Sequence, residues 1–503
     1  MLKGDRSFQR RQETILASPI KSSQRPRWWR RNWFYATLIT LAIVGVFCAF
    51  FLPPLIPGIN SEGETTDSLR KAILAVLAGS LTMLTLSETH RKNNQEKEKN
   101  ERDHIRQVYA ERRGRYTKAV EQLANEKAAV RLGGIYTLVG LVDEWLADET
   151  LELEERQKEG QVIINNLCSY IRSPFPLAKK IEEYEARKEL EKLQKSESEN
   201  LTAEKSSRLQ ILLKRFEDSN EYEKPKDITA DYAKFHEEQD VRRTIFVEMS
   251  KRSSVISNKV EGDVTVTPGH WSDFDFDFSR APVFYPLNRL TIEKGNFSFA
   301  KFSSNAVFGW TKFIQTADFR GAKFIKHASF NGATFTKHVN FRWARFTQNA
   351  NFSSVRFAQT ANFSRATFAQ TANFSRATFA QTANFSRATF AQIANFSQAT
   401  FTQIANFSEA TFSASSPMFV QTYKDSARIL RAQFATLSEK QPAHNFAVSE
   451  GSFPILPGEA ELVDGLKYRI PVGTVLFDPS SGKTSEPAKP LENSDTEEEK
   501  PAE

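Results

Sequence analysis

The chain has 503 residues, 68 Lys and Arg against 61 Asp and Glu, 41 phenylalanines and 2 cysteines. That length calls for two to four domains, and two cysteines exclude both a disulfide framework and a cysteine-based metal site. The net charge of +7 is spread unevenly, so it carries information segment by segment.

Residues 1–32 form a basic N-terminus with nine Lys and Arg against two acids. Residues 33–52, WFYATLITLAIVGVFCAFFL, are apolar and long enough to span a bilayer, and Pro53 and Pro54 close the run. A second run, AILAVLAGSLTMLTL at 72–86, is shorter and flanked by Arg70, Lys71 and Glu88. It reads as a second span, with a tilted or buried helix as the alternative. The segment 33–88 is thus read as two transmembrane helices with a short outside loop. Residues 54–69 carry three acids and no Lys or Arg, whereas Arg91, Lys92, Lys97 and Lys99 follow the second run. Basic flanks stay inside, so both termini are expected in the cytoplasm. The basic leader is too long, and lacks the small-residue site, for a cleaved signal peptide. Ala75 and Gly79 form a small-xxx-small pair suited to a helix contact. Cys48 and Cys168 sit in apolar helical stretches and read as inert packing residues.

Residues 89–260 are predicted as a helical stalk and bundle. The stalk is charged over 95–120. In AVEQLANEKAAVRLGGIYTLVGLVDEWL (119–146), Val130, Ile135, Leu138, Leu141, Val142 and Trp145 recur at helical spacing. QVIINNLCSYI (161–171) and VRRTIFVEM (241–249) are two more helices. Residues 178–228, dense in Glu and Lys, read as a solvated linker helix with pairs such as Glu183–Arg187 and Glu191–Lys195. Gly133-Gly134 lacks the spacing of a phosphate loop.

From Phe297 to Phe412 a Phe stands at alternating steps of five and six residues, 22 in all. The word ANFSRATFAQT at 361–371 is repeated at 372–382. Ala stands two residues before almost every Phe. Steps of five and six scatter Phe around a helix and alternate it across a flat strand, so the chain must turn a corner between successive Phe. Within each short side, Ala and Phe share one inward face. The words ANFSR and ATFAQ resemble the unit of the pentapeptide-repeat family. That resemblance implies a right-handed, four-sided β-helix of 22 residues per coil over 271–415. Phe319, Phe341, Phe363, Phe385 and Phe407 would form one stacked ladder, and Phe324, Phe346, Phe368 and Phe390 another. The extra letter after each pair (Thr360, Thr371, Thr382, Ile393, Ile404) is placed at corners.

The order of segments also resembles bacterial membrane proteins with two spans, a helical middle and a C-terminal pentapeptide repeat. Gln122, Arg131, Leu132, Gly133, Gly134, Tyr136, the LCSYIR phrase and WSDFDFDFSRAPVF (271–284) carry that likeness. It implies architecture: an α + β multi-domain chain in the bacterial inner membrane, with its repeats in the cytoplasm. Residues 420–478 are read as a C-terminal cap, with a helix at 425–437 and a hairpin or short strands at 466–477. Residues 479–503 are read as a disordered tail.

No catalytic, cofactor-binding or metal site is expected. His327 and His338 fall on opposite sides of a coil. No H-E-x-x-H, G-x-S-x-G or C-x-x-C motif occurs. Function is therefore expected at surfaces. Between 295 and 412, twelve Lys and Arg face two acids, Asp318 and Glu409. Lys323, Arg342, Arg345, Arg365, Arg376 and Arg387 are the candidate interaction surface. The leading reading is a non-enzymatic, membrane-anchored scaffold for a protein partner. The alternatives are an electrostatic binder of anionic lipid or nucleic acid, and, disfavoured by the basic charge, a topoisomerase-directed DNA mimic. Homo-oligomers are compatible with this sequence.

Overall fold

The structure is a computed structural model, and it describes residues 27–51, 63–195, 203–217, 222, 224–258, 264–422, 428–437, 443–462 and 466–491. They fall in two compact units, 1–111 and 112–503.

The first unit holds α1 (Arg27–Phe51) and most of α2 (Gly63–Leu123). α2 runs without a break from the second apolar run through the charged stalk, and no Pro interrupts the helical stretch. Apolar side chains on both helices point outward, among them Ile43, Phe47, Val76 and Met83. The helices touch where Leu77 lies over Gly45, so closely that a Cβ on Gly45 would come within 2.3 Å of it. Gly79 has open space around it, so this contact does not use the expected Ala75–Gly79 pair. Among the described residues one helix, Asp67–Leu123, is long and apolar enough to cross a membrane, and Ala36–Phe51 is a shorter apolar helix.

In the second unit, α3 (Ala128–Leu146), α4 (Leu153–Arg172) and α7 (Ile228–Arg252) bury one face each. Gly134 explains part of the VRLGGIY phrase: a Cβ there would meet the Ala119 carbonyl at 2.8 Å, so glycine lets α3 lie against the end of α2. α4 stops at Arg172, ahead of Pro174, and α5 (Pro176–Lys195) starts on a proline, which suits the first helical turn. α5 and α6 (Ala203–Phe216) occupy the stretch read as a solvated linker. The expected Glu183–Arg187 pair is present at 3.1 Å, but α5 is not solvated all round. Ala178, Ile181 and Glu182 are buried against the rest of the unit.

After a hairpin, β1 (Val255–Asn258) and β2 (Val264–Thr267), the chain winds into a solenoid. Two-residue strands from β3 (Pro282–Val283) to β26 (Thr411–Phe412) stack in four parallel sheets. The register is 22 residues per coil: Phe324 pairs with Phe346, Phe346 with Phe368 and Phe368 with Phe390. The Phe and Ala fill the interior, and the rings stack as the spacing predicts. Phe363 lies 4.9 Å from Phe341 and 5.0 Å from Phe385, and Phe368 lies 4.8 Å from Phe346 and 4.9 Å from Phe390. Neighbouring ladders meet edge to face, as for Phe352 and Phe363 at 5.3 Å. Each buried Phe contributes about 1.5–3 kcal/mol of transfer free energy before entropy is subtracted.

Two kinds of corner alternate. Thr360, Thr371 and Thr382 sit at the wider corners, outside the strands. At the tighter ones an Asn side chain bends back onto the chain: the Oδ1 of Asn362 accepts from Ser364 N, and Asn373 and Asn384 repeat the contact, each at 2.9 Å. This Asx turn is the reason for Asn in the repeat word.

Both ends are closed. Trp271, Phe274 and Phe278 are buried where the helices meet the first coil. At the far end the expected helix at 425–437 is not formed over 428–437, and its first three positions lie outside the described residues. β27 (Val420–Thr422) pairs with β28 (Ile429–Arg431), and β29 (Gln433–Ala435) extends the sheet beyond Thr400–Phe401. Leu430, Ala432 and Phe434 are buried at period two, and Phe434 continues a Phe ladder 4.9 Å beyond Phe401. A helix would have left that strand edge unpaired. The 466–477 stretch does form strands, but not one hairpin. β31 (Lys467–Pro471) pairs with β30 (Pro457–Glu461), whereas β32 (Val475–Phe477) pairs with β29. Residues 479–491, read as disordered, carry β33 (Lys489–Pro490) on β30. The expectation for 492–503 lies outside the described residues.

Candidate interaction surface

Each tighter corner is a four-residue turn. In one, Phe363 O accepts from Ala366 N at 3.0 Å, and Arg365 has φ 57°. A turn of this type needs positive φ at its third residue, where Gly is usual. This chain places Phe299, Trp310, Trp343, Ser354, Arg365, Arg376, Arg387, Gln398 and Glu409 there, eleven residues apart, all at φ 55–60°. Gly fills the same place twice. A Cβ on Gly321 would lie 2.7 Å from the Phe299 ring, and one on Gly332 2.9 Å from the Trp310 ring. Gly therefore appears where an aromatic ring from the preceding coil covers the corner. Elsewhere the corner holds a residue that tolerates positive φ poorly, at a cost of about 1–2 kcal/mol.

The six predicted basic residues separate into two groups. Lys323 and Arg345 are register partners on one sheet and both are exposed. The corner beside that sheet carries Arg342, Arg365 and Arg387, and Arg376 stands at the opposite corner. Arg387 is already paired: its guanidinium reaches Glu409 at 2.9 Å. The hydrogen bond from Arg387 holds the Glu409 carboxyl below its ordinary value. The nine predicted ladder phenylalanines are all buried core and contribute no chemistry to the surface.

Sequence reasoning missed Trp343. Its indole is exposed, with the Arg342 guanidinium 4.1 Å from the ring centroid and that of Arg365 at 6.0 Å. The 22-residue register was enough to place Trp343 one coil before Arg365, but a Trp in a Phe-rich repeat reads as core. Sequence reasoning also missed the acids that meet the rod. Lys301 Nζ reaches Glu182 Oε2 at 2.8 Å, Lys326 pairs with Glu185, and Arg215 joins Glu182 at 3.0 Å.

A second polar cluster lies inside the helical layer. Glu238, 4% exposed, accepts from Arg242 at 2.7 Å, Arg131 at 3.1 Å and the Tyr170 hydroxyl at 3.1 Å. Arg242 also donates to the Ile171 and Ser173 carbonyls. Burial, helped by Glu238, raises the Tyr170 phenol above its ordinary value. Arg131 and Tyr170 belong to the two phrases that carried the likeness to membrane-anchored proteins, and their partners are structural. Cys168 is buried, which pushes its thiol up to about 12 and leaves it unreactive. A cavity of about 630 Å³ between the β1–β2 hairpin and the solenoid is lined by Glu293, Lys337 and Arg356. Among the described residues no group of three or more His, Cys, Asp or Glu could hold a metal ion.

A family model described as pentapeptide repeats (9 copies) matches residues 325–367 and again 374–416. The chain is a pentapeptide-repeat protein. No curated protein and no solved structure gives a match to it. Pentapeptide-repeat solenoids are protein-interaction modules and are typically non-catalytic, in keeping with a surface that offers charges and rings. In this pentapeptide-repeat protein the interior is uniform from coil to coil, so individuality lies at the corners and outward faces.

Proposed function

We propose that this pentapeptide-repeat protein is a non-enzymatic, membrane-anchored scaffold that presents its solenoid to an acidic protein partner in the cytoplasm. One observation carries the reading: exposed Arg and Trp side chains stand at positive-φ corners where Gly would be relaxed. Charge for solubility alone could sit on any outward strand position without backbone strain, so strained Arg corners argue for a selected surface. The outward apolar faces of α1 and α2, with basic residues on both flanks, support the membrane anchor.

A crosslinking pull-down of the full chain in cells tests the scaffold, set against the Lys323→Glu/Arg345→Glu/Arg365→Glu variant. A protein enriched by the parent and lost from the variant is expected; identical captured sets would sink the scaffold reading. Retention of the chain in the pellet after alkaline carbonate extraction is expected, and release would sink the anchor. A second reading, electrostatic binding of anionic lipid or nucleic acid, is favoured by the excess of ten basic over acidic residues between 295 and 412. The same excess disfavours DNA mimicry.

A further inference from the structure

The solenoid already holds one helix, α5, through two acidic side chains. Glu182 and Glu185 stand three residues apart on one face of α5. At 1.5 Å per residue they climb about 4.5 Å along the helix axis. They meet Lys301 on one coil and Lys326 on the next, three residues past Lys323, the register partner of Lys301; the rings of those coils, Phe302 and Phe324, are 4.6 Å apart. That spacing is close to the rise of about 4.5 Å, so acids at i, i+3 on a helix laid along the coil axis would meet register-paired basic residues one per coil. An extended strand cannot do the same, because its same-face residues lie about 6.6 Å apart and leave register within two coils.

The basic column that α5 starts on continues past it. Lys301, Lys323 and Arg345 are in register on one sheet, and Arg365 stands at the adjoining corner one coil further on. Lys323, Arg345 and Arg365 make no ion pair among the described residues. Trp343 lies at the same corner, exposed, with Arg342 and Arg365 against its ring. We propose that Lys323, Arg345 and Arg365 dock an acidic helix of a partner protein, laid along the coil axis with its Asp or Glu three and four residues apart, and that Trp343 receives an apolar side chain between them. The proposal rests on the scaffold reading and specifies its partner.

The test uses the purified full chain in detergent and two fluorescent helical peptides of identical composition. One carries Glu at i, i+3, i+7 and i+10; in the other the same Glu residues are distributed around the helix. Fluorescence anisotropy is expected to show at least about tenfold tighter binding of the first. The Lys323→Glu/Arg345→Glu/Arg365→Glu variant should lose at least about tenfold, and Arg376→Glu at the opposite corner should change nothing. These variants keep the corner conformation, since Glu409 occupies the equivalent corner at φ 55°. Equal affinity for the two peptides would overturn the proposal in favour of net charge alone. Tighter binding of oligo-dT, or of phosphatidylserine vesicles, through the same three residues would overturn it in favour of nucleic acid or a lipid surface. A cellular client with no peptide discrimination sinks only the helix-docking mode. Peptide discrimination with no cellular client sinks only the scaffold reading.

Discussion

Replacing Arg376 by Gly should stabilise the coil that contains it, although glycine normally weakens a β structure. Arg376 has φ 57° and makes one exposed side-chain contact, to Gln398 Oε1 at 2.9 Å. Relief of the left-handed conformation returns about 1–2 kcal/mol. The greater freedom of Gly in the unfolded chain takes back about 0.5–1 kcal/mol, and the exposed hydrogen bond contributes little. The net gain is about 0.5 kcal/mol. Thr378 is the control, two residues on and within a strand, where Gly brings its cost without relief and should lose about 0.5–1 kcal/mol. Stability in a repeat array is local, so hydrogen exchange of the amides in this coil is the assay. At tenfold per 1.4 kcal/mol, exchange should slow about twofold in Arg376→Gly and quicken about twofold to fivefold in Thr378→Gly. Faster exchange in both variants would refute the strain argument, and with it the main support for a selected corner surface.

Phe363→Ala should cost about 3–5 kcal/mol, because Phe363 is fully buried between rings above and below and the coil spacing is fixed by its neighbours; chemical denaturation of the strand signal checks this. Glu238→Ala should cost about 3–5 kcal/mol, since it strands Arg242 and Arg131 in the helical layer; an unchanged unfolding midpoint of the helical signal would contradict the cluster's role. Burial holds the His444 imidazole below its ordinary value, and its Nδ1 accepts from Ala405 N at 3.1 Å, so the unfolded chain takes up the proton more readily. Stability of the terminal coil is therefore full above about pH 6.5 and falls as the pH drops below it, so exchange of the Ala405 amide should quicken relative to intrinsic rates at about pH 5.5, and His444→Gln should flatten that dependence.

The solenoid was legible because its signal is local and repeated. The five-and-six spacing of Phe yields the corners, the 22-residue coil and the stacking partners without any distant contact. The C-terminal cap was not legible, because 425–437 has to be read with one copy. Leu430, Ala432 and Phe434 suit a strand as well as a helix, and the unpaired edge beyond Phe401 decides between them. The charged segment at 178–228 failed for a related reason. Charge pairs within α5 are visible in sequence, but Glu182 and Glu185 find their partners at Lys301 and Lys326, well over a hundred residues away. Of the candidate surface, the placement of Arg365 with Arg387 on one side and Arg376 on the opposite one followed from periodicity. The pairing of Arg387 with Glu409 and the exposure of Trp343 depended on which corner residues lie in consecutive coils and on how far each side chain reaches.

The two errors and the one success have a common physical origin. Ladder positions are constrained by identical neighbours above and below, so they change little from coil to coil, and a repeat predicts them. Corner positions meet solvent on one side, so each can differ without disturbing the interior. This solenoid uses that freedom unevenly: Arg280 and Arg289 at the first corners, then aromatic residues and Gly, Arg again in the middle, and Gln398 and Glu409 toward the end. The N-terminal coils are already covered by α5, and the terminal acid neutralises Arg387. Among the described residues, Lys323, Arg345 and Arg365 carry exposed charge without an ion pair in the coils that follow the α5 contact at Lys301, as Lys312 does earlier in the rod, so a stretch of basic surface stands beyond the reach of the rod's own helices and acids.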